Sequence, residues 1–495
     1  MNYYLVAIIS LVGYVLYKIY IYPLYLSPLR KIPGPPANNF IIGHYASFLK
    51  KDPIKAHSNL IKKYGGLVRY HVLFNQPYLL ISDPKLVQQV MSTRAYEFPR
   101  VFLNETVVKE IVGESILFAM ADSHKHKRQR KIMNPSFAFA NVKEMIPTFV
   151  QAGHKLKDIW TIQIGNKKEK IITVSSLIPK ITLDVIGLVG FNHEFNSTTS
   201  ESELAQAYNN ITNNYMSPLF RALEAFFPFI KKFPTSYNAK YYDSIEVINK
   251  ISQGIVSEQK NTSVIGKDLL SLLVKENERL PVDEQLTNNE LVSQVMTLLV
   301  AGHDTTSSSL SWALYFLAKN PDCQDRLRKE ILDVFTDRDH CPTFDEIDQL
   351  KYLECVFKET LRTSSPVSLL MRQNSKEEIM NGYVIPKGTP LVIPIHAIHH
   401  DPLIWGDDAD DFNPSRWLNP EIKSKISHHN FFPFGAGPAN CLGMKMAHLE
   451  LKSILSVLIR NFEFKLVEGF TFKKLYAGVV KPYPGMDLWV SKMDY

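Results

Sequence analysis

The sequence predicts a globular protein with long apolar helices that follows an N-terminal membrane anchor. Three observations predict this. The 495 residues are 45% hydrophobic and 21% charged, which is the composition of an ordinary globular protein. The first 26 residues are almost uncharged and apolar, and residues 291–317 and 444–458 have the apolar spacing of long helices. The body contains no linker-like stretch and no repeat, so one large domain and several smaller ones both remain open at this point.

The N-terminal run is long enough to approach the width of a bilayer. Residues 3–17 are uncharged, and residues 19–26 continue the run after Lys18. About 17 to 20 helical residues nearly cross the hydrocarbon core, with Lys18 extended to the interface and tyrosines forming an aromatic belt. A cleaved signal peptide would need a charged start and a small-residue cleavage site, which the run lacks. A buried core helix is the other alternative. Arg30 and Lys31 follow the run, which predicts a cytosolic body.

A proline-rich stretch separates the run from the body. Residues 32–36 read Ile-Pro-Gly-Pro-Pro, and the fixed φ of proline makes a stiff, non-helical spacer. We therefore expect an anchor over residues 1–26, a hinge over 27–36 and the globular body over 37–495.

The net charge and the spacing of the cysteines argue against several kinds of site. A net charge of +7 indicates an acidic partner or a membrane surface and does not indicate nucleic acid. The four cysteines form no C-x-x-C pair, are too sparse for a disulfide framework, and have no zinc-ligand spacing. The cysteines expected to be ordinary thiols are Cys323, Cys341 and Cys355.

The fourth cysteine, Cys441, lies in a loop of small and turn-forming residues. The ten residues that end at Gly443 read FGAGPANCLG, and a helical pattern follows. Gly435 and Gly437 let backbone N–H groups approach a sulfur closely, and the next helix directs its positive end at an anion. The loop therefore predicts a stabilised thiolate. An incidental cysteine in a glycine-rich turn is the alternative.

Residues 301–306, with the sequence AGHDTT, place polar side chains inside a long apolar helix. Burying the side chains of Asp304 and Thr305 there costs free energy unless they have polar partners or a function. Gly302 thins the helix so that a flat ligand can approach, and Thr305 can donate a hydrogen bond to a carbonyl and distort the turn. A solvated kink in a core helix is the alternative.

Two further patterns are weak by themselves. Glu359 and Arg362 lie three residues apart, so on a helix they form a local ion pair of a kind common on surfaces. Residues 124–131 read HKHKRQRK, which is typical of a solvated helix face and, less often, of a nucleic-acid patch.

The order of these patterns along the chain is more informative than any one of them. A basic helix, an Asp-Thr helix, an E-x-x-R helix, a loop with Arg416 and a cysteine loop follow one another. In this the chain resembles the cytochrome P450 monooxygenases of the eukaryotic microsomal type, from the anchor to about the last strand region. The resemblance implies a fold that is mainly α with smaller β-sheets. It also implies a single large haem domain behind an N-terminal transmembrane helix.

The resemblance implies roles for individual residues. Cys441 is the expected axial ligand of the iron of haem b. The residues expected to line the haem are Phe434, Gly435, Gly437, Gly443 and Ala301. The expected ligands of the haem propionates are Arg130, Arg372 and, in place of a usual tryptophan, His126. Asp304 and Thr305 match an acid–alcohol pair that delivers protons during oxygen activation. The expected structural triad is Glu359, Arg362 and Arg416.

The resemblance further implies a monooxygenase that receives electrons from NADPH through a flavoprotein reductase, with a cytochrome b-type protein as a second possible donor. The side chains expected to dock an acidic reductase are Lys125, Lys127, Arg128 and Lys131. The expected location is the endoplasmic reticulum membrane, with a single N-terminal span and a cytosolic catalytic domain. No nucleic acid is expected as a partner.

The expected substrate is lipophilic: a fatty acid, a terpenoid, a sterol or a secondary metabolite. The segments expected to contact it are residues 101–118, Phe226, Phe227, Phe229, residues 300–305, residues 367–370 and the loop near Tyr476. Two other functions remain open. One is a haem-thiolate isomerase or dehydratase that needs no reductase, and the other is a non-catalytic haem-binding or sensor protein.

Ala439 departs from the family pattern, which has arginine or histidine there to pair with a haem propionate. Losing one charge-assisted hydrogen bond weakens haem binding by about 1.5–3 kcal/mol, and by less if water substitutes. We therefore expect the chain to bind haem but to exchange it more easily, and an Ala439→Arg variant to slow haem transfer to an apo-acceptor.

Overall fold

The described part of the chain is mainly helical. The computed structural model describes residues 2–37, 39, 41–44, 53–102, 105–199, 202–212, 224, 227, 229–230, 233, 235–261, 266–335, 337 and 339–493. The α-helices in these ranges are α1 (Asn2–Leu16), α2 (Pro53–Tyr64), α3 (Pro84–Gln88), α4 (Glu105–Val112), α5 (Ser123–Met133), α6 (Phe139–Lys143), α7 (Ile146–Ile164), α8 (Val174–Phe191), α9 (Glu203–Thr212), α10 (Ser236–Asn261), α11 (Leu269–Glu278), α12 (Asn288–Lys319), α13 (Pro321–Val334), α14 (Phe344–Gln349), α15 (Lys351–Thr363), α16 (Ile395–His399), α17 (Pro402–Trp405), α18 (Pro420–Lys425) and α19 (Met444–Asn461).

Short strands form small sheets beside the helices. In the same ranges the strands are β1 (Leu67–His71), β2 (Pro77–Ile81), β3 (Glu169–Thr173), β4 (Leu370–Gln373), β5 (Glu378–Met380), β6 (Tyr383–Ile385), β7 (Pro390–Ile393), β8 (Phe462–Leu466), β9 (Lys473–Ala477), β10 (Val479–Tyr483) and β11 (Asp487–Lys492). The largest sheet has the order β1–β2–β7–β4, and β2 and β7 run parallel. The antiparallel sheet β3–β11–β8 and the pairs β5–β6 and β9–β10 complete the set. The predicted fold class, mainly α with smaller sheets, is confirmed.

Helix α12 runs through the hydrophobic core and extends the predicted stretch at both ends. It begins with a capping box, in which Thr287 Oγ1 accepts from the Glu290 N–H at 3.2 Å and the Glu290 carboxylate accepts from the Thr287 N–H at 3.0 Å. Leu299, Leu310 and Leu317 are completely buried. A helix buried on several faces is fixed by its neighbours, so α12 holds its polar residues in defined positions.

Gly302 serves helix packing and not the approach of a ligand. A Cβ at this position would lie 2.8 Å from Ile186 Cγ1 on α8, so a side chain here would force α8 away from α12. The prediction that Gly302 opens the helix to a flat ligand is therefore wrong. Ala301, the preceding residue, is the exposed position of this turn.

Helix α19 begins directly after the cysteine loop, with Gly443 as its N-cap residue. Ile454, Leu455 and Leu458 on this helix are completely buried, and each contributes about 1.5–3 kcal/mol through burial. The cysteine loop is therefore continuous with a rigid core element.

The N-terminal helix α1 exposes its apolar side chains, and a wider π-helical segment, Tyr17–Leu26, follows with Pro23 inside it. Proline removes a backbone donor, which is consistent with the irregular turns there. In the described ranges two helices are long and apolar enough to cross a membrane, Tyr3–Lys31 and Val174–Phe191. The second is α8, which is largely buried in the core. The first is the candidate membrane anchor.

The chain packs firmly on the body after this anchor. Leu29 and Ile32 are buried in the cluster that contains β2 and β7 residues. The Arg69 N–H of β1 donates to the Pro33 carbonyl at 2.8 Å. A Cβ on Gly34 would lie 1.9 Å from the Arg69 carbonyl oxygen, so only glycine allows this approach. The proline-rich segment therefore lies along β1.

Candidate active site around Cys441

The loop that carries Cys441 needs its glycines. Gly435 and Gly437 have φ values of 73° and 67°, in the left-handed region that favours glycine. A Cβ on Gly437 would also lie 2.0 Å from the Met91 carbonyl oxygen. The Cys441 N–H donates to the Phe434 carbonyl at 2.8 Å and closes the loop. The sequence of the loop thus fixes the backbone on both sides of the cysteine.

The Cys441 thiol has many protein atoms around it, yet the residue is accessible. Burial raises the pKa of this thiol above its ordinary value. A hydrogen bond from the Gly443 N–H and the charges of Arg130 and Arg100 act in the opposite direction and do not offset burial. The Gly443 N–H and the nearby arginines favour the thiolate without outweighing burial, and a metal ion bound there would deprotonate the thiol outright.

Three arginines surround the loop. Arg100 Nη2 donates to the Ala439 carbonyl at 3.1 Å, and Arg130 donates to the Asn440 carbonyl. An isolated antiparallel bridge pairs Arg100 with Arg372 of β4, which is 1% exposed. The Nε atoms of all three are buried and have no partner among the described residues.

The arginine cluster lacks an acidic partner in the described part of the chain. Burial and the charge of Arg100 lower the pKa of Arg372 to about 9, and burial and the charge of Arg130 lower the pKa of Arg100 to about 10. No carboxylate among the described residues raises the pKa of Arg100, Arg130 or Arg372. Three crowded guanidinium groups with unpaired Nε donors favour a bound anion, and carboxylates match their geometry best.

His126 of α5 belongs to the same cluster as a neutral group. It is 1% exposed, and its Nδ1 is 3.0 Å from the Tyr96 hydroxyl. Burial, followed by the charges of Arg130, Arg100 and Arg372, lowers its pKa to about 4. His126 can therefore offer a hydrogen bond to an anion but no charge at neutral pH.

Helix α12 presents one accessible stripe in an otherwise buried segment. Ala301 is exposed and Thr305 is half-buried, and residues four apart share a helix face. Thr305 Oγ1 donates to the Ala301 carbonyl at 2.8 Å, as its sequence context predicts, although α12 continues without a break. This helix packs against α19, which starts after Cys441.

Asp304 is not exposed on that stripe. Its carboxylate is buried and pairs with Lys481 Nζ of β10 at 2.5 Å. His303, whose pKa burial lowers, lies 4.0 Å from the same carboxylate oxygen and donates from Nδ1 to the Leu299 carbonyl. Asp304 was predicted as a site residue from the sequence, but its partner Lys481 was not, because β10 has no recognisable motif. The structure therefore places Thr305 at the accessible surface and Asp304 in a buried ion pair behind it.

Replacing Lys481 by methionine should lower the free energy of unfolding by roughly 3 kcal/mol, because it leaves the buried Asp304 carboxylate without its cation. Chemical denaturation of the purified protein measures this. The double variant Asp304→Asn with Lys481→Met should recover part of the loss. A loss in the double variant as large as the sum of the single losses would show that the pair is not coupled.

Glu359, Arg362 and Arg416 come together in one completely buried network. Arg362 donates to both oxygens of Glu359, from Nε at 2.9 Å and from Nη2 at 2.8 Å, and Arg416 Nε lies 3.3 Å from Glu359 Oε1. Two partners were not expected from the sequence: Trp417 Nε1 donates to Glu359 at 2.9 Å, and Asp408 Oδ1 accepts from Arg416 at 2.6 Å. The network joins α15 to the loop that precedes the cysteine.

Comparison with known proteins decides the family. A sequence model of cytochrome P450 matches residues 33–488, which is nearly the whole chain. The chain belongs to the cytochrome P450 family. It is 32% identical to cytochrome P450 monooxygenase 128 of Postia placenta, over 91% of this chain and 89% of that protein. It is 29% identical to cytochrome P450 monooxygenase sphH of Aspergillus fumigatus, over 91% and 86% respectively. These matches confirm the predicted enzyme class, an oxidoreductase of the cytochrome P450 monooxygenase type.

The cytochrome P450 family implies a haem cofactor, and the residues of this chain fit one. Cys441 is accessible and offers a sulfur donor in a glycine-rich loop, so it suits an iron ligand. Arg100, Arg130 and Arg372 have unpaired buried donors and no acidic partner in the described ranges, so they suit the two propionates. The accessible stripe at Ala301 suits the face of a flat macrocycle.

Some of the residues predicted to contact the substrate lie outside the described residues, and others are exposed. Phe226, residues 103–104 and the side chain of Tyr476 lie outside the described residues. Phe227 and Phe229 are exposed, and the Phe227 ring lies 5.9 Å from that of Phe74. Val367, Leu369 and Leu370 are half-buried.

Arg100 is a residue of the cytochrome P450 site that the sequence did not bring out. It occupies a stretch without a motif, and 339 positions separate it from Ala439. The departure at Ala439 was the available signal, because a lost cation invites a search for its replacement elsewhere.

Proposed function

We propose that this cytochrome P450 is a haem-thiolate monooxygenase. It would insert one oxygen atom of O2 into a lipophilic small molecule, with electrons from NADPH delivered by a flavoprotein reductase. The observation that carries the proposal is the accessible Cys441 thiol beside three arginines that have no acidic partner in the described chain.

Cys441 and the arginine cluster would hold the haem, which would supply dioxygen activation. The chain itself orients the cofactor and manages protons. Thr305 has a hydroxyl on the accessible stripe, where it can hold a proton donor near the reacting face. Asp304, held by Lys481 behind that stripe, would be the carboxylate of the proton relay.

Cations on α5 support docking of an acidic reductase. Lys127 is exposed, and Lys131 is 62% exposed although it reaches Glu284 at 3.1 Å. Arg128 contributes less than the sequence suggests, because it pairs with the buried Glu290 at 2.5 Å and donates to the Gln285 carbonyl. The reductase surface would therefore depend on the lysines.

Exposed apolar surfaces support the proposed substrate class and location. Phe229 is 58% exposed and Phe233 is 56% exposed, and α1 exposes nearly all its apolar side chains. These surfaces favour a lipophilic substrate and a chain anchored in the endoplasmic reticulum membrane, with the catalytic body in the cytosol. Resistance of the full-length chain to alkaline carbonate extraction tests the anchor, since release into the soluble fraction contradicts it.

Reconstitution with a flavoprotein reductase tests the function. With NADPH and a panel of fatty acids, terpenoids and sterols, we expect substrate-dependent NADPH consumption and products heavier by one oxygen atom, labelled when 18O2 is supplied. A rearranged or dehydrated product formed without reductase would support the isomerase or dehydratase alternative. Haem binding without any turnover would support the sensor alternative.

Haem transfer to an apo-acceptor tests how the chain compensates for Ala439. Arg100→Met should speed the transfer, because Arg100 reaches the Ala439 carbonyl and offers an unpaired donor where the family places a cation. The expected loss of haem affinity is about tenfold or more, for one charge-assisted hydrogen bond. Arg279→Met, which removes an exposed arginine, should leave the rate unchanged. Ala439→Arg should slow the transfer by less than one added charge-assisted hydrogen bond would, because Arg100 already supplies a cation there. An unchanged transfer rate in Arg100→Met would show that Arg100 does not compensate for Ala439.

A further inference from the structure

A polar recess lies where the N-terminal helix meets the body, apart from the site around Cys441. Its volume is about 430 Å3. Tyr20 and Tyr25 of the π-helical segment line one side, and Arg69 and His71 of β1 line the other, next to Pro36. Neither the haem site nor the proposed reductase surface uses these residues.

The wall of the recess is held by His44. The Nε2 of His44 lies 2.8 Å from the Pro36 carbonyl, which can only accept, so Nε2 carries the proton in the neutral ring. His44 Nδ1 then accepts from the His71 N–H at 3.0 Å. The backbone of Gly34 packs against Arg69, as described above. The recess is therefore preorganised before any ligand enters.

The recess is electropositive and its donors lack partners. His71 is completely buried, and both of its ring nitrogens are without a hydrogen-bond partner among the described residues. Arg69 Nε also has no hydrogen-bond partner among the described residues. Burial, Arg69 and His44 lower the pKa of His71 to about 3, and burial lowers the pKa of Arg69, with no carboxylate of the described residues acting against it. Buried polar groups are usually hydrogen-bonded, so these donors are available to a ligand.

The position of Tyr20 and Tyr25 along the anchor helix places the recess at the level of the lipid headgroups. A helix rises about 1.5 Å per residue, so the twenty residues from Tyr3 to Tyr22 would cover about 30 Å, the thickness of a hydrocarbon core. Tyr20 and Tyr25 then lie at the boundary with the headgroups, where tyrosine is favoured. A phosphate at this boundary is within reach of the recess.

We propose that this recess binds the phosphate of an anionic membrane phospholipid. Arg69 donates charge-assisted hydrogen bonds to the phosphate oxygens. The tyrosines pack against the glycerol region. This inference rests on the proposed membrane anchor and adds a lipid site that fixes the body relative to the bilayer.

The full-length protein in nanodiscs tests the proposal. The nanodiscs contain phosphatidylcholine alone or phosphatidylcholine with phosphatidic acid, and native mass spectrometry after detergent release counts retained lipid. We expect the wild type to retain one phosphatidic acid per chain. Arg69→Met should reduce retention about tenfold, which is the loss expected for one charge-assisted contact, and Arg69→Lys should keep most of it. Arg30→Met removes the same charge from an exposed side chain on the same side of the anchor and should behave as the wild type. Haem content shows that each variant is folded.

Equal retention of phosphatidylcholine and phosphatidic acid by the wild type would overturn the proposal, as would equal losses in Arg30→Met and Arg69→Met. Inorganic phosphate retained from nanodiscs of phosphatidylcholine alone, without a preference for phosphatidic acid, would assign the recess to free phosphate and overturn the lipid. Failure of the anchor is distinguished by carbonate extraction. Water-soluble dihexanoyl phosphatidic acid then tests the recess without a bilayer, and Arg69-dependent binding supports it whereas no binding overturns it.

Discussion

Replacing Cys441 by serine is expected to abolish monooxygenase turnover while leaving the fold largely intact. A hydroxyl is a poor ligand for haem iron and does not supply the electron donation of a thiolate. The substitution removes little packing, because the side chain is accessible. Circular dichroism should therefore be unchanged, while bound haem falls and oxygenated product disappears.

Cys355→Ser is the matched control. Cys355 is buried on α15, away from the arginine cluster, and burial raises the pKa of its thiol as it does for Cys441. This variant should lose some stability but retain haem and turnover. If Cys441→Ser kept full turnover, or if Cys355→Ser lost it equally, the assignment of the iron ligand would be wrong.

Replacing Glu359 by glutamine should lower the free energy of unfolding by about 3–5 kcal/mol, because two buried guanidinium groups lose their shared carboxylate. Arg416 keeps Asp408, but Arg362 keeps only backbone carbonyl partners. Since the stability of a domain is commonly 5–15 kcal/mol, this loss should also reduce the yield of haem-loaded protein. Chemical denaturation followed by fluorescence measures the change.

Glu421→Gln provides the control for this charge change. Glu421 is exposed and pairs with Lys425 four residues later, so the expected effect is below about 0.5 kcal/mol. Pairing Glu359→Gln with Arg362→Met should recover part of the stability, since one unpaired cation is removed. A Glu359→Gln variant as stable as the wild type would show that the buried network does not support the fold.

Local motifs were sufficient to predict much of the site. The glycines around Cys441 and the spacing of Glu359 and Arg362 reflect backbone and helix geometry within a few residues, which a sequence displays directly. The long helices α12 and α19 were predicted because their apolar spacing persists over several turns.

Contacts between distant segments could not be predicted in this way. Arg100 reaches Ala439, and Lys481 reaches Asp304, through packing of segments far apart in sequence. Gly302 was predicted wrongly because a missing side chain does not say which neighbour needs the space, and the neighbour is Ile186 of α8. Arg100 brings a cation to the backbone of Ala439, which is the basis of its proposed compensating role.

The carbon-monoxide difference spectrum of the reduced wild-type protein tests the central claim most directly. A thiolate opposite carbon monoxide shifts the main haem absorption band strongly to the red, because it donates electron density through the iron. We predict this red-shifted band for the purified full-length chain, and its loss in Cys441→Ser. A band at the unshifted position typical of histidine-ligated haem in the wild type would contradict the assignment of Cys441 as the iron ligand.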